Sequence, residues 1–175
     1  WRNDNATDNQ AATDYDKKWI PGQWKVPEAY DNPASNDPWY FSAIREANYF
    51  LETVVPRFEK GEIEGSETNI KHYIGEMYFL RAKNYLSKLE TFGDFPIIKN
   101  TLPDESVSLI QASKREPRHK VARFILEDLD LAIGLLTNTI SGGKNRITKN
   151  AALLLKSRAA LYEASWLTYH KGTAL

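Results

Sequence analysis

The strongest constraint on this chain is a spacing of three and four between large apolar residues, which recurs in four separate stretches. Phe41, Ile44, Leu51, Val55 and Phe58, with Asn48 among them, fall on one face of a helix, because 3.6 residues complete a turn. Ile74, Tyr78, Ala82, Tyr85, Leu89 and Phe92 make a second such face. The same stretch carries another apolar line, Ile70, Tyr73, Met77 and Leu80, which predicts contact on two sides. Val121, Phe124, Ile125, Leu129, Ala132, Ile133 and Leu136 form the third face. The fourth runs through Ala151, Leu155, Ala159, Tyr162, Trp166 and Tyr169, widened by Leu153, Leu154 and Leu161. The small residues Ala151, Ala152, Ala159, Ala160 and Ala164 would let a neighbouring helix come close.

Start and stop signals bound these stretches. Asp37 and Pro38 read as the cap and first residue of the first helix, which Pro56 kinks or shortens and Gly61 closes. Ser66 and Thr68 open the second, and Gly93-Asp94-Phe95-Pro96 stops it. Residues 96–113 read as a connector with one short apolar piece, Ile97-Ile98. The third helix starts near Glu116-Pro117, Gly142-Gly143 ends the link after it, and Thr148 caps the fourth. The expected class is all-α, two antiparallel helical hairpins like those of tetratricopeptide arrays. Residues 1–37 form a long irregular segment rich in Trp, Asn and Asp, and residues 38–175 form the helical scaffold.

Charge and composition then remove whole classes of function. Lys plus Arg equals Asp plus Glu at 23 each, so nothing in the net charge favours nucleic acid or an anionic membrane. With no Cys, thiol catalysis, thiolate metal sites and disulfides are excluded. The longest aliphatic run, Ala151 to Leu155, is far from the roughly 18 to 20 residues of a membrane helix. The start, Trp1-Arg2-Asn3-Asp4-Asn5, lacks Met and the features of a signal peptide. The chain reads as an excised piece, cut at both ends.

Few residues suggest chemistry. His72 and Glu76, four apart, are a lone pair, so neither a metal nor a cofactor is expected. Asp128 and Asp130 lie two apart on a helix and point to different sides, which makes a poor catalytic dyad; no catalytic residue is assigned. Arg45, Arg81, Asp128 and Arg158 sit on or beside the apolar stripes and are expected to be structural, Asp128 pairing with Arg81 or Arg158. Gly142-Gly143-Lys144-Asn145-Arg146 lacks the spacing of a phosphate loop. The cluster Lys114, Arg115, Arg118, His119, Lys120 and Arg123 reads as a solvated face. Asn5-Ala6-Thr7 matches the glycosylation pattern. Four of the five tryptophans, Trp1, Trp19, Trp24 and Trp39, precede residue 40. Flat rings beside amides and carboxylates suit a sugar, whose C–H faces stack while its hydroxyls take hydrogen bonds. Trp19 and Trp24 are the stacking candidates, with Asn32 and Asn36 as hydroxyl partners. The competing role for these rings is to anchor the irregular segment, most of all for Trp39 beside a helix start.

Five stretches, in order, resemble one family. They are Ile44-Arg45-Glu46-Ala47-Asn48-Tyr49-Phe50-Leu51, Gly75-Glu76-Met77-Tyr78-Phe79-Leu80-Arg81-Ala82, Phe92-Gly93-Asp94-Phe95-Pro96-Ile97-Ile98, Ile125-Leu126-Glu127-Asp128-Leu129-Asp130-Leu131-Ala132, and the run from Ile147 to Tyr162. Together they look like the N-terminal part of the SusD/RagB family. That resemblance implies tetratricopeptide-like hairpins in a non-catalytic lipoprotein on the extracellular face of the Bacteroidota outer membrane. It implies capture of glycans or other nutrients and delivery to a SusC-like TonB-dependent transporter. The helices would serve as scaffold and transporter contact, and aromatic loops would meet the ligand. Membrane attachment would come only through a lipid-bearing Cys upstream of Trp1, and most of the C-terminal half would be missing. Two other classes remain open. A helical-repeat protein-interaction module would show a groove between hairpins, whereas a SusD-like piece would show unsupported apolar surface. An all-helical glycoside hydrolase would need two carboxylates about 5 to 10 Å apart around a cleft.

Overall fold

The computed structural model describes residues 6–7, 10–11, 20–21, 39–139 and 145–173. Among these residues the elements are a two-residue antiparallel pair, β1 (Ala6–Thr7) with β2 (Gln10–Ala11), and five helices. The helices are α1 (Ser42–Glu59), α2 (Glu67–Phe92), α3 (Ser106–Ala112), α4 (Arg118–Leu135) and α5 (Lys149–Tyr169). The chain is all-α in class, as its apolar periodicity predicts.

The capping signals act as read for two helices. Ser66 Oγ accepts from the Asn69 amide at 3.5 Å, and Thr148 Oγ1 accepts from the Ala151 amide at 3.2 Å. Gly93 ends α2 at φ 72°, a left-handed angle that a side chain disfavours. The start of α1 differs from expectation. It begins at Ser42, with Phe41 in the cap position and no side-chain cap bond. Asp37 and Pro38 lie outside the described residues. Trp39 and Phe41 instead turn their rings onto Phe95, with centroids 5.7 and 5.1 Å away, so aromatic packing precedes the first turn.

Helix α2 is the centre of the scaffold. It packs on α1 and α4, and α4 packs on α5. Consecutive long helices run antiparallel: His72 at the start of α2 meets Thr137 just past α4, whereas Leu89 near the end of α2 meets Arg118 at the start of α4. The main core joins Ile44, Tyr85, Leu89, Val121, Ile125 and Leu129 with Phe95, which belongs to no helix. The Phe95 amide and carbonyl each bond to Glu116 at 3.1 Å. One antiparallel bridge thus satisfies the backbone of a fully buried residue.

Three expectations about faces change. The connector 96–113 contains α3, seven residues with none buried. The second stripe of α2 is only partly covered, Tyr73 and Leu80 being 40% and 37% exposed. On α5 the inward line is Ala152, Ala159 and Glu163, with Leu155 beside it. Leu154, Leu161 and Tyr169 are 71%, 70% and 85% exposed, and Leu153 and Leu167 are exposed as well. The expected α5 stripe was drawn too wide, because apolar residues occupy both sides of this helix.

Candidate functional site

A buried polar network ties the helices to the segment that follows α2. Arg81 donates from Nε and Nη2 to both oxygens of Asp128, at 2.7 and 2.8 Å, the bidentate geometry that suits guanidinium and carboxylate. Its Nη1 donates to Asn48 Oδ1 at 2.9 Å and to the Lys99 carbonyl at 3.3 Å. Asn48 passes the contact on, donating from Nδ2 to the Ile98 carbonyl at 2.8 Å. Tyr85 completes the grip: its hydroxyl donates to the Ile98 carbonyl at 3.1 Å and accepts from the Ile98 amide at 2.8 Å. At the outer end, the Thr101 amide and hydroxyl both donate to Glu52 Oε2, at 3.0 and 2.6 Å. These side chains hold residues 96–102 as a strap across α1 and α2.

The electrostatics follow from burial. Burial pushes the Asp128 carboxyl above the usual carboxylate range, and the hydrogen bonds and charge of Arg81 pull against it. Burial raises the Tyr85 phenol to about 12. Tyr78, half-buried, is also raised, chiefly by desolvation. The Thr101 bonds hold the exposed Glu52 below its ordinary value.

Two cavities flank the strap. One, of about 280 Å³, opens between α1, the strap and α3, over Phe41, Ile44, Pro96, Ile98, Leu102 and Leu109. Its polar lining is Arg45, Asn48, Asn100 and Ser113. The other, of about 250 Å³, lies on the opposite side among Leu51, Glu52, Tyr78, Arg81 and Lys99.

The remaining buried carboxylates are also matched to arginines. Glu76 pairs through Oε2 with Arg146 and accepts from the Ile147 amide at 3.1 Å through Oε1. His72 lies beside it, Nε2 3.6 Å from Oε1. The Thr137 amide donates to His72 Nδ1 at 3.3 Å, and Thr137 Oγ1 lies 3.2 Å from the same nitrogen. Glu163 Oε2 accepts from Arg118 Nε at 2.8 Å. Arg118 also donates to the Leu89 carbonyl and lies 4.1 Å from the Trp166 ring centroid. Arg118 Nη2 and Glu163 Oε1 are buried without a hydrogen-bond partner. No group of three His, Cys, Asp or Glu suited to a metal ion occurs among the described residues, and no described helix is long and apolar enough to cross a membrane.

The structure sorts the residues singled out in the sequence. Trp19, Trp24, Asn32 and Asn36 lie outside the described residues. Trp39 anchors, its ring 4.0 Å from Phe92. Arg81 and Asp128 come together as expected; Arg45 and Arg158 are exposed and join no such network among the described residues. Each directly precedes or follows a core-facing position, and a step of about 100° per residue turns it outward. The basic cluster is broken up: Arg115 lies over the Trp39 ring, Lys120 pairs with Glu116, and Arg118 turns inward. Sequence reasoning missed Glu163 and the α3 side of the cleft. The apolar residues Val107, Leu109 and Ile110 within an otherwise polar connector were the available signal.

A SusD-like family model, described as starch-binding associating with outer membrane, matches residues 2–161. No curated protein matches the chain. Among solved structures, a SusD-like protein from Bacteroides fragilis is 30% identical, with a TM-score of 0.62 over 75% of this chain and 24% of that one. A laminarin-binding SusD-like protein is 24% identical, with a TM-score of 0.61 over 73% of this chain and 26% of its own. Surface glycan-binding protein A from Bacteroides uniformis, 18% identical, shares the fold at a TM-score of 0.57 over 71% of this chain and 26% of its own. The chain spans about a quarter of the length of these structures. With a family match from residue 2 to residue 161 and helices in the family's arrangement, the chain belongs to the SusD-like family as its N-terminal portion.

Proposed function

We propose that the protein binds glycans at the bacterial cell surface without catalysis and delivers them to a SusC-like TonB-dependent transporter. The family match over residues 2–161 carries this reading. Relatives of the same fold support its ligand class: one is described as laminarin-binding, another as a complex with a xylogluco-oligosaccharide. Among the described residues the buried carboxylates Asp128, Glu76 and Glu163 are each paired with an arginine. In this reading the protein sits on the outer face of the outer membrane through an upstream lipid anchor.

Trp19 and Trp24 are proposed to stack on sugar rings, and Asn32 and Asn36 to bond their hydroxyls. Affinity electrophoresis of the intact protein against laminarin, xyloglucan and pectic polysaccharide tests the general reading, and retardation by none of a broad glycan panel would overturn it. For the residue assignment, Trp24→Ala should weaken binding by about tenfold, equivalent to about 1.4 kcal/mol. Unchanged affinity in calorimetry would remove Trp24 from the site. Delivery is tested by co-purification with a SusC-like transporter from outer membranes.

A further inference from the structure

The cleft between α1, the strap and α3 has a lining that fits one kind of sugar better than another. Its floor is aliphatic and aromatic: Phe41, Ile44, Pro96, Ile98, Leu102 and Leu109. At about 280 Å³ it lies just under the roughly 300–1,000 Å³ of clefts that enclose drug-sized ligands, so it takes one ring rather than a chain of rings. Much of its polar lining is already occupied. Asn48 is spent on Arg81 and the strap carbonyls, and the Ser113 hydroxyl donates to the Leu109 carbonyl at 2.7 Å.

Arg45 is different. It is exposed on the cleft's lining and is its one charged side chain, and that side chain has neither a hydrogen bond nor an ion pair among the described residues. A neutral sugar needs partners for hydroxyls all round its edge, and this cleft supplies few. A ring with an apolar face and a single carboxylate at its edge needs an apolar floor and one guanidinium, which is what the lining provides. The far wall also suits an occupant. Among the described residues helix α3 packs against no other helix and buries none of its own, so a ring seated against the 40% exposed Leu109 would give it a further apolar contact.

We propose that this cleft is a subsite for a uronic acid residue of an acidic glycan, with Arg45 pairing with its carboxylate and Phe41, Ile98 and Leu109 meeting its C–H face. This rests on the glycan-binding reading and narrows its substrate class.

The test is calorimetry of the protein with trigalacturonate, its methyl ester and laminaritriose. Trigalacturonate should bind most tightly, and added salt should weaken it. Arg45→Gln should weaken trigalacturonate by about ten- to hundredfold, the range for a hydrogen-bonded charge pair, and leave laminaritriose unchanged. Arg158→Gln, at an exposed arginine remote from the cleft, should change neither. Leu109→Glu, at a partly exposed position that tolerates the change, should abolish trigalacturonate binding by repulsion. If the acidic and neutral sugars bind equally well, or Arg45→Gln has no effect, the uronate subsite is overturned while glycan binding stands. If none of these sugars or the broad glycan panel binds, both fall together.

Discussion

The Arg81–Asp128 pair shows what one buried charge contact does when its remaining atoms are also used. Arg81 and Asp128 are 6% and 2% exposed, and such a pair adds little over an apolar substitute but costs much when one partner is removed. Asp128→Asn should therefore destabilise the protein by about 3 kcal/mol, read as a lower urea midpoint; a loss below about 0.5 kcal/mol would mean that the pair is solvated. Tyr85 makes a pH prediction. Its folded-state value near 12 lies above the ordinary 10.0 of a free phenol, so the neutral phenol stabilises the fold fully below pH 10. That contribution is lost as pH rises through 12. Two units correspond to about 3 kcal/mol, and Tyr85→Phe should flatten the decline in stability between pH 9 and 12 while costing about 1–3 kcal/mol at neutral pH. The ion pair was legible in the sequence because both charges sit within apolar stripes. The roles of Asn48 and Tyr85 were not, because nothing local to either marks a partner 50 or 13 residues away. Arg45, expected to be structural, is exposed instead, since a position beside a stripe and one on it differ by a single step of rotation.

At the scale of elements, α2 and α4 approach closely at one glycine. A Cβ built on Gly75 would lie 3.0 Å from Leu136 Cγ and 3.1 Å from Leu135 Cβ. The second of these atoms cannot move without its backbone. Gly75→Ala should therefore lower stability by about 1 kcal/mol, because overpacking of about 1–3 kcal/mol outweighs the helix-propensity gain of about 1 kcal/mol. Gly134→Ala is the matched control: its Cβ would meet nothing within 4 Å, so the same change should raise the thermal midpoint slightly. Arg118 joins three helices at their other ends, and Arg118→Gln should cost about 2–3 kcal/mol by stranding Glu163. The four long helices were legible from the 3.6-residue period, and two boundaries were legible where the Ser66 and Thr148 hydroxyls accept the capping bond. The start of α1 was not, because Trp39 and Phe41 settle it by packing on Phe95, a contact more than 50 residues distant. Nor was α3, which buries no residue and carries only the short apolar set Val107, Leu109 and Ile110, less than two turns of any stripe.

For the whole molecule, the outer side of α5 is the conspicuous surface. Leu154, Leu161 and Tyr169 stand in solvent on a helix whose opposite side is buried, and contiguous apolar exposure of this kind marks a contact surface. A SusD-like piece was expected to show such a face, and the chain spans only about a quarter of the structures it matches. Sedimentation of the 175-residue chain should show association that grows with concentration. Leu154→Lys with Leu161→Glu should abolish it while shifting stability by less than about 0.5 kcal/mol per site, the usual range for surface changes. A monomer at all concentrations would mean that this face is not adhesive. The strap carries a different consequence. It is fastened by side chains from α1 and α2 at Ile98, Lys99, Asn100 and Thr101, not by a neighbouring strand whose length it must match. Residues 102–113, α3 included, can therefore be lengthened, shortened or rewritten without moving α1, α2 or α4. The scaffold works like a fixed chuck that accepts interchangeable bits, so a new ligand can be accommodated by editing one loop while the fold beneath stays as it is.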